Sequence, residues 1–333
     1  MAVNISKTLL VRSVCIISLI LAFLFPFPET DAQVFFNSTH TSVWNKQYDQ
    51  PALVGQNSSL RSVVAYRSQW NNLEGAPQTF YFGSDVHLPI KNLGGGIFIA
   101  HDRLGATAFT TAKISLSYSV HFKKSIISAG LSAGLANTMI DGSKITTPST
   151  NIGIQDPILN QQKESGMRPD LGVVIAYIHQ YIQADLFFNN FVNSTTSLNG
   201  STQELIVGFG RYAGLGAVGN IPLGAPSFSL NPGFLLKTDF NKYQIDAFLT
   251  SSYEKKYTFG LGFRGYNKIS SESLIVLARI KIVDGFSVGY SYDFNLSKLE
   301  KVNRGSHELS LQYDYPIKYQ SNRTKIVNHP RFL

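Results

Sequence analysis

Long stretches of this chain alternate, residue by residue, between apolar or aromatic side chains and small polar ones. In KISLSYSVHF (113–122), Ile114, Leu116, Tyr118, Val120 and Phe122 take every second place, and Ser115, Ser117, Ser119 and His121 take the rest. GFSVGYSYDF (285–294) repeats the pattern with Phe286, Val288, Tyr290, Tyr292 and Phe294, and IISAGLSAGLA (126–136) sets Gly and Ser on one face. Successive side chains of an extended strand point to opposite faces, so each stretch predicts a strand with one apolar face and one polar face.

A soluble sandwich also alternates, but its outer face is rich in charge. Here the polar face is mostly Ser, Gly, Thr and Gln, and charged residues are 15% of the chain while aromatics reach 12%. That balance points to lipid outside and a wet lumen inside, with Leu116, Tyr118, Val120, Val288, Tyr290 and Leu311 facing lipid and Ser117 and Ser291 facing water. In hydrocarbon every backbone polar group must be satisfied internally, which leaves an all-β closed antiparallel transmembrane barrel as the expected fold.

Extended runs fall at 60–71, 77–88, 93–102, 107–122, 124–138, 171–179, 181–191, 202–212, 227–238, 241–251, 256–267, 272–282, 285–296 and 306–316. These make about fourteen strands, an even number as a single-chain outer-membrane barrel needs. If residue 33 starts in the periplasm, even-numbered connections return there and should be short. Pro89–Asn92, Lys123, Gln180 and Val283-Asp284 fit, whereas the stretch 213–226, GLGAVGNIPLGAPS, is even-numbered yet long, so either a strand is miscounted there or an unusual periplasmic loop exists. Its GLGAVGN portion lacks the lysine and following helix of a phosphate-binding loop and reads as a loop or bulge.

Residues 1–32 read as a cleaved signal peptide: Lys7 and Arg12 precede the apolar Val14–Phe25, and Thr30-Asp31-Ala32 makes a small-residue cleavage site before Gln33. The apolar core is short and Pro26 and Pro28 interrupt it, which disfavours a membrane anchor. Cys15, the only cysteine, lies in this segment, so a mature chain has no thiol, disulfide or cysteine metal site. Segment 33–58 is expected to be a periplasmic arm or a plug, 59–316 the barrel and 317–333 a periplasmic tail. The formal charge is +8, and it stays so after residues 1–32 leave with Lys7, Arg12, Glu29 and Asp31. An excess of surface lysine accounts for that charge, with acidic lipid head groups or an acidic partner as the other reading. Nucleic acid is not an expected partner of an exported chain. No cofactor is implied, and no loop has the oxygen-ligand spacing of a calcium site.

Four stretches occur in order: AYRSQWNNLEGAPQTFYFGSD (65–85), GGGIFIAHDRLG (94–105), GYSYDFNLSKL (289–299) and GSHELSLQY (305–313). With QPALVG (50–55), GLGFRGY (260–266) and HPRFL (329–333), they resemble the PorP/SprF family of the type IX secretion system of Bacteroidota. Two features depart from the family: Gln50-Pro51-Ala52-Leu53 stands where its entry segment has an aromatic-rich Asn-Pro-Ala-Tyr pattern, and His329 where it has a terminal cysteine. The resemblance implies an outer-membrane protein that assists secretion or surface attachment of large proteins such as gliding adhesins. It implies as partners a cargo with a C-terminal secretion domain and other components of the same machine, some of them periplasmic.

Strand parity points Arg67, Asp102, Arg264, Asp293 and Glu308 inward near one rim, beside Gln69 and Trp70 of the RSQW stretch. Charges inside a barrel persist when they pair or meet a partner, so two arginines and three carboxylates are expected to form a network bracing the outer loops, a partner-binding surface. An enzyme is not expected. His307 falls on the outer face with Leu309, Leu311, Tyr313 and Tyr315, where a nucleophile and an orienting group are not apparent. A diffusion porin is the stronger alternative, since a polar lumen is what a channel requires.

Overall fold

The structure is a computed structural model that describes residues 43–46, 50–57, 59–145, 162–190, 195–198, 205–208, 211–224, 227–240, 242–266 and 270–317. The expected signal peptide, residues 33–42 and the expected tail beyond residue 317 lie outside the described residues.

Among the described residues seventeen strands follow in chain order: β1 (Ser59–Ser68), β2 (Gln78–His87), β3 (Leu93–Leu104), β4 (Thr107–His121), β5 (Ser125–Asp141), β6 (Lys163–His179), β7 (Ile182–Asn189), β8 (Thr195–Leu198), β9 (Leu205–Gly208), β10 (Tyr212–Gly219), β11 (Ile221–Pro222), β12 (Phe228–Thr238), β13 (Tyr243–Tyr253), β14 (Tyr257–Tyr266), β15 (Ser270–Val283), β16 (Phe286–Asn295) and β17 (Ser306–Pro316). All neighbours pair antiparallel, β1 pairs β17, and β10 pairs both β7 and β12, which closes a fourteen-strand barrel. Closure leaves no open edge, the condition for a sheet to stand in hydrocarbon. The strands β8 and β9 form a separate hairpin, and the two-residue β11 only extends the pairing of β12.

The alternation sorts as the hydrophobic effect in lipid demands. Leu116, Tyr118, Val120, Tyr290 and Leu311 point outward and exposed, while Ser115, Ser117, Ser119, Ser287 and Ser291 are buried on the inner face. Tight turns join the strands at the end that carries both barrel termini. Glu254 and Lys255 both adopt φ 52° in the three-residue turn 254–256, and Gly285 adopts φ 81° in the two-residue turn between β15 and β16. We name this the terminal end. The opposite, loop end carries the connections 69–77, 142–162, 190–211 and 296–305.

Two expectations need correction. The eighth wall strand is β10, at Tyr212–Gly219, and not the 202–212 run. The apolar Leu205, Ile206 and Val207 belong to the separate hairpin, and of the two readings of 213–226 it is the miscounted strand that holds, since residues up to Gly219 are wall. Its glycines have a packing cause. A Cβ at Gly214 would overlap the Phe187 ring, and one at Gly216 would overlap the Asp185 carboxylate. With β10 in place, the long connection moves to the loop end and the even-numbered one shrinks to 220–227.

The lumen is also occupied in part by the chain itself rather than wet throughout. Gln50, Ala52, Leu53 and Val54 lie inside the barrel, almost fully buried. Ser128 Oγ donates to Ala52 O and Ser117 Oγ to Val54 O, both at 2.7 Å, and Gly55 N donates to Asp85 Oδ2 at 2.8 Å. Deeper in, Trp44 packs on Ile275 and Leu277 under the Arg279 guanidinium, and Lys46 Nζ stands 4.0 Å from Asp185. Ser117 and Ser291 therefore meet protein, and a lysine at either is not silent.

The lipid face carries its own test. Tyr290→Lys, mid-strand on β16, is expected to cost about 2–4 kcal/mol, and Tyr253→Lys, on the same face at the rim end of β13, about 0–1 kcal/mol. The folded fraction on unheated gels reads the difference. Equal losses at the two positions would place Tyr290 away from lipid.

Candidate functional site

Near the loop end the inner wall holds a chain of ionic contacts that spans six neighbouring strands, five of which supply a charged side chain. Arg67 on β1 faces Glu308 on β17 directly in register, and Arg264 on β14 faces Asp246 on β13. Asp293 on β16 joins the two pairs. Its Oδ2 accepts from Arg67 Nη2 at 2.6 Å and from Arg264 Nη1 at 3.3 Å. Arg67 Nη1 donates to Glu308 Oε2 at 3.2 Å, and Arg264 Nε to Asp246 Oδ1 at 2.9 Å. Gln244 Nε2 adds a bond to Asp246 Oδ1 at 3.0 Å.

Each guanidinium reaches Asp293 across an intervening strand, and small residues make room. Ser306 is the register partner of Asp293 on β17, and Ser273 that of Arg264 on β15. Arg67, Arg264, Asp293 and Glu308 are each at most 2% exposed. Desolvation of that degree is offset only by close, multiple contacts, and the planar arginine fork supplies them where a lysine point charge would not.

The network lies directly beneath two loops that are sewn together. Asn71 N donates to Gly305 O at 2.9 Å and Arg304 N to Asn71 O at 2.8 Å, a reciprocal pair between the 69–77 and 296–305 connections. Trp70, in the left-handed region at φ 51°, donates its backbone N–H to Ser306 Oγ at 3.1 Å. Gln69 N donates to Pro77 O at 2.9 Å, and Gly105 N to Gly75 O at 2.9 Å, tying in the β3–β4 turn. The result is a braced rim with Glu74 and Val302 at its exposed tips.

Of the expected residues, Arg67, Arg264, Asp293 and Glu308 come together, with Gln69 and Trp70 just above them. Asp102 does not join. It lies on β3, beyond β2, and accepts from Thr79 Oγ1 at 2.6 Å. The third carboxylate is instead Asp246, which sequence reasoning passed over. Pairing the two strands about Lys255, the centre of the three-residue turn 254–256, would have set it opposite Arg264.

On the outer face, His307 Nδ1 and Tyr290 OH are 2.6 Å apart, and the ring packs edge-on against Tyr292. Ser68 stands opposite His307 in register, a neighbour not apparent from the sequence, but its hydroxyl donates to Asn71 Oδ1 at 2.5 Å. The base and the hydroxyl are thus committed elsewhere, which is not the arrangement nucleophilic catalysis needs. His307→Ala is expected to leave the phospholipid hydrolysis of purified protein unchanged, at background, in a labelled-lipid assay. Turnover lost in the variant would reverse that reading. Among the described residues no group of His, Cys, Asp and Glu is placed to hold a metal ion.

The family model described as "Type IX secretion system membrane protein PorP/SprF" matches residues 38–313. No curated protein matches the chain. Among solved structures, a Pseudomonas aeruginosa FadL homologue is similar over 86% of this chain and 100% of its own, at 10% identity and TM-score 0.52. The Pseudomonas putida toluene transporter TodX is similar over 86% and 95%, at 7% identity and TM-score 0.50. At such identities the likeness is one of barrel fold.

Proposed function

Because the chain belongs to the PorP/SprF family of type IX secretion system membrane proteins, we propose that it is a non-enzymatic outer-membrane component that assists secretion or surface attachment of large proteins, such as gliding adhesins. In this reading the loop end faces the cell exterior and the braced rim is where a cargo's secretion domain is held. The observation that supports it is the reciprocal backbone pairing of the 69–77 and 296–305 loops over a buried ion network. A recognition surface built on loops gains affinity when a rigid scaffold fixes them before binding, since less ordering entropy is lost.

The test alters the exposed tips and spares the brace. Glu74→Lys/Val302→Asp is expected to leave the barrel in the outer membrane while surface-held cargo falls about tenfold and appears in the medium, the scale of losing an interface hot spot. Cargo that stays on the surface at its normal level would remove the rim from the account.

A further inference from the structure

The cations at the terminal end are not scattered. Lys91, Lys123, Lys124, Lys255 and Lys256 sit in three tight turns, and Lys281 adjoins a fourth, so they occupy opposite sides of the barrel. Two carboxylates accompany them: Glu254, and Asp284, whose Oδ1 lies 2.7 Å from Lys281 Nζ. Among the described residues, Lys91, Lys123, Lys124 and Lys255 have no ion-pair partner. Each cluster adjoins an exposed apolar residue: Ile90, Phe122, Tyr253 and Ile282. Lys256 Nζ lies 5.3 Å from the Tyr257 ring centroid.

Short turns hold these ammonium groups at the edge of the apolar wall, within reach of head groups, and the neighbouring apolar side chains anchor in the acyl region. At the loop end Lys301 rides on a longer loop, Lys144 and Lys163 share Asp141 at 3.8 and 3.9 Å, and Lys242 is the lysine of a short turn, 239–242, that also holds Asp239. We propose that the lysine turns of the terminal end form a binding surface for the phosphate groups of anionic phospholipids in the adjoining leaflet. Lipid meets a barrel on every side and a docked protein on one, and the lysines lie on both sides.

Folded full-length protein in detergent is titrated with phosphatidylglycerol and with phosphatidylcholine, and retained lipid is read by native mass spectrometry. Phosphatidylglycerol is expected to be preferred about tenfold or more, as several lysines near a charged surface require. Lys91→Gln/Lys123→Gln/Lys124→Gln/Lys255→Gln should bring the two lipids level, and Lys144→Gln/Lys242→Gln/Lys301→Gln, at the other end, should not. Raising salt on the wild type should erase the preference without any variant. Equal retention of the two lipids by wild type, a salt-independent preference, or an equal loss from the loop-end variant would overturn the proposal. So would a terminal-end variant that keeps its lipid preference but no longer co-purifies an acidic protein.

Discussion

Arg67→Ala is expected to destabilise the folded barrel by about 3–5 kcal/mol, the cost of removing one partner from a buried ion pair. The substitution withdraws the cation nearest Glu308 and the shorter of the two guanidinium contacts to Asp293, at a place where water does not replace them. Arg67→Lys should lose less, because the charge remains, but it cannot serve two carboxylates with one planar fork. Arg67→Ala/Glu308→Ala should recover part of the loss, since the carboxylate left behind is removed with its partner. Urea titration of protein folded into vesicles measures all three. If the single and double alanine variants are equally destabilised, the cost is one of packing and the network is not an electrostatic unit.

Gly130→Val is expected to turn a closed barrel into a conducting one. A Cβ at Gly130 would overlap the backbone of Pro51 and Ala52, and one at Gly94 would overlap Val54 O. Backbone atoms cannot swing aside as the end of a flexible side chain can, so the luminal segment must leave its seat. The hydroxyls of Ser117 and Ser128 then lose Val54 O and Ala52 O, and the terminal end of the lumen opens. In planar bilayers the wild type should give no resolved current steps and the variant discrete ones. Ser117→Ala/Ser128→Ala, which disturbs the wall less, should give intermittent steps. Porin-like current from the wild type would support the diffusion-channel alternative and assign the luminal segment no closing role.

The period-two pattern was enough to place most of the wall, because burial in lipid selects one face of each strand and the code is local. It failed at β10, where Gly214 and Gly216 leave no alternation to read and the reason for them, Phe187 and Asp185, lies on another strand. The same limit governs the lumen. Alternation separates polar from apolar faces, but Ser117 and Ser128 look alike whether they meet water or the backbone of residues 52–54. In the ion network, parity set Arg67, Arg264, Asp293 and Glu308 on the inner face. Which carboxylate completes it depended on register, and register put Asp246 against Arg264 while Thr79 took Asp102.

The placement of cargo recognition is tested most directly by crosslinking in living cells. A photoreactive residue at Val302, on the braced rim, is compared with one at Lys123, in a tight turn of the terminal end. Covalent adducts to a secreted protein bearing a C-terminal secretion domain are expected from position 302 and not from position 123. Adducts from position 123 alone would put recognition at the terminal end and contradict the account.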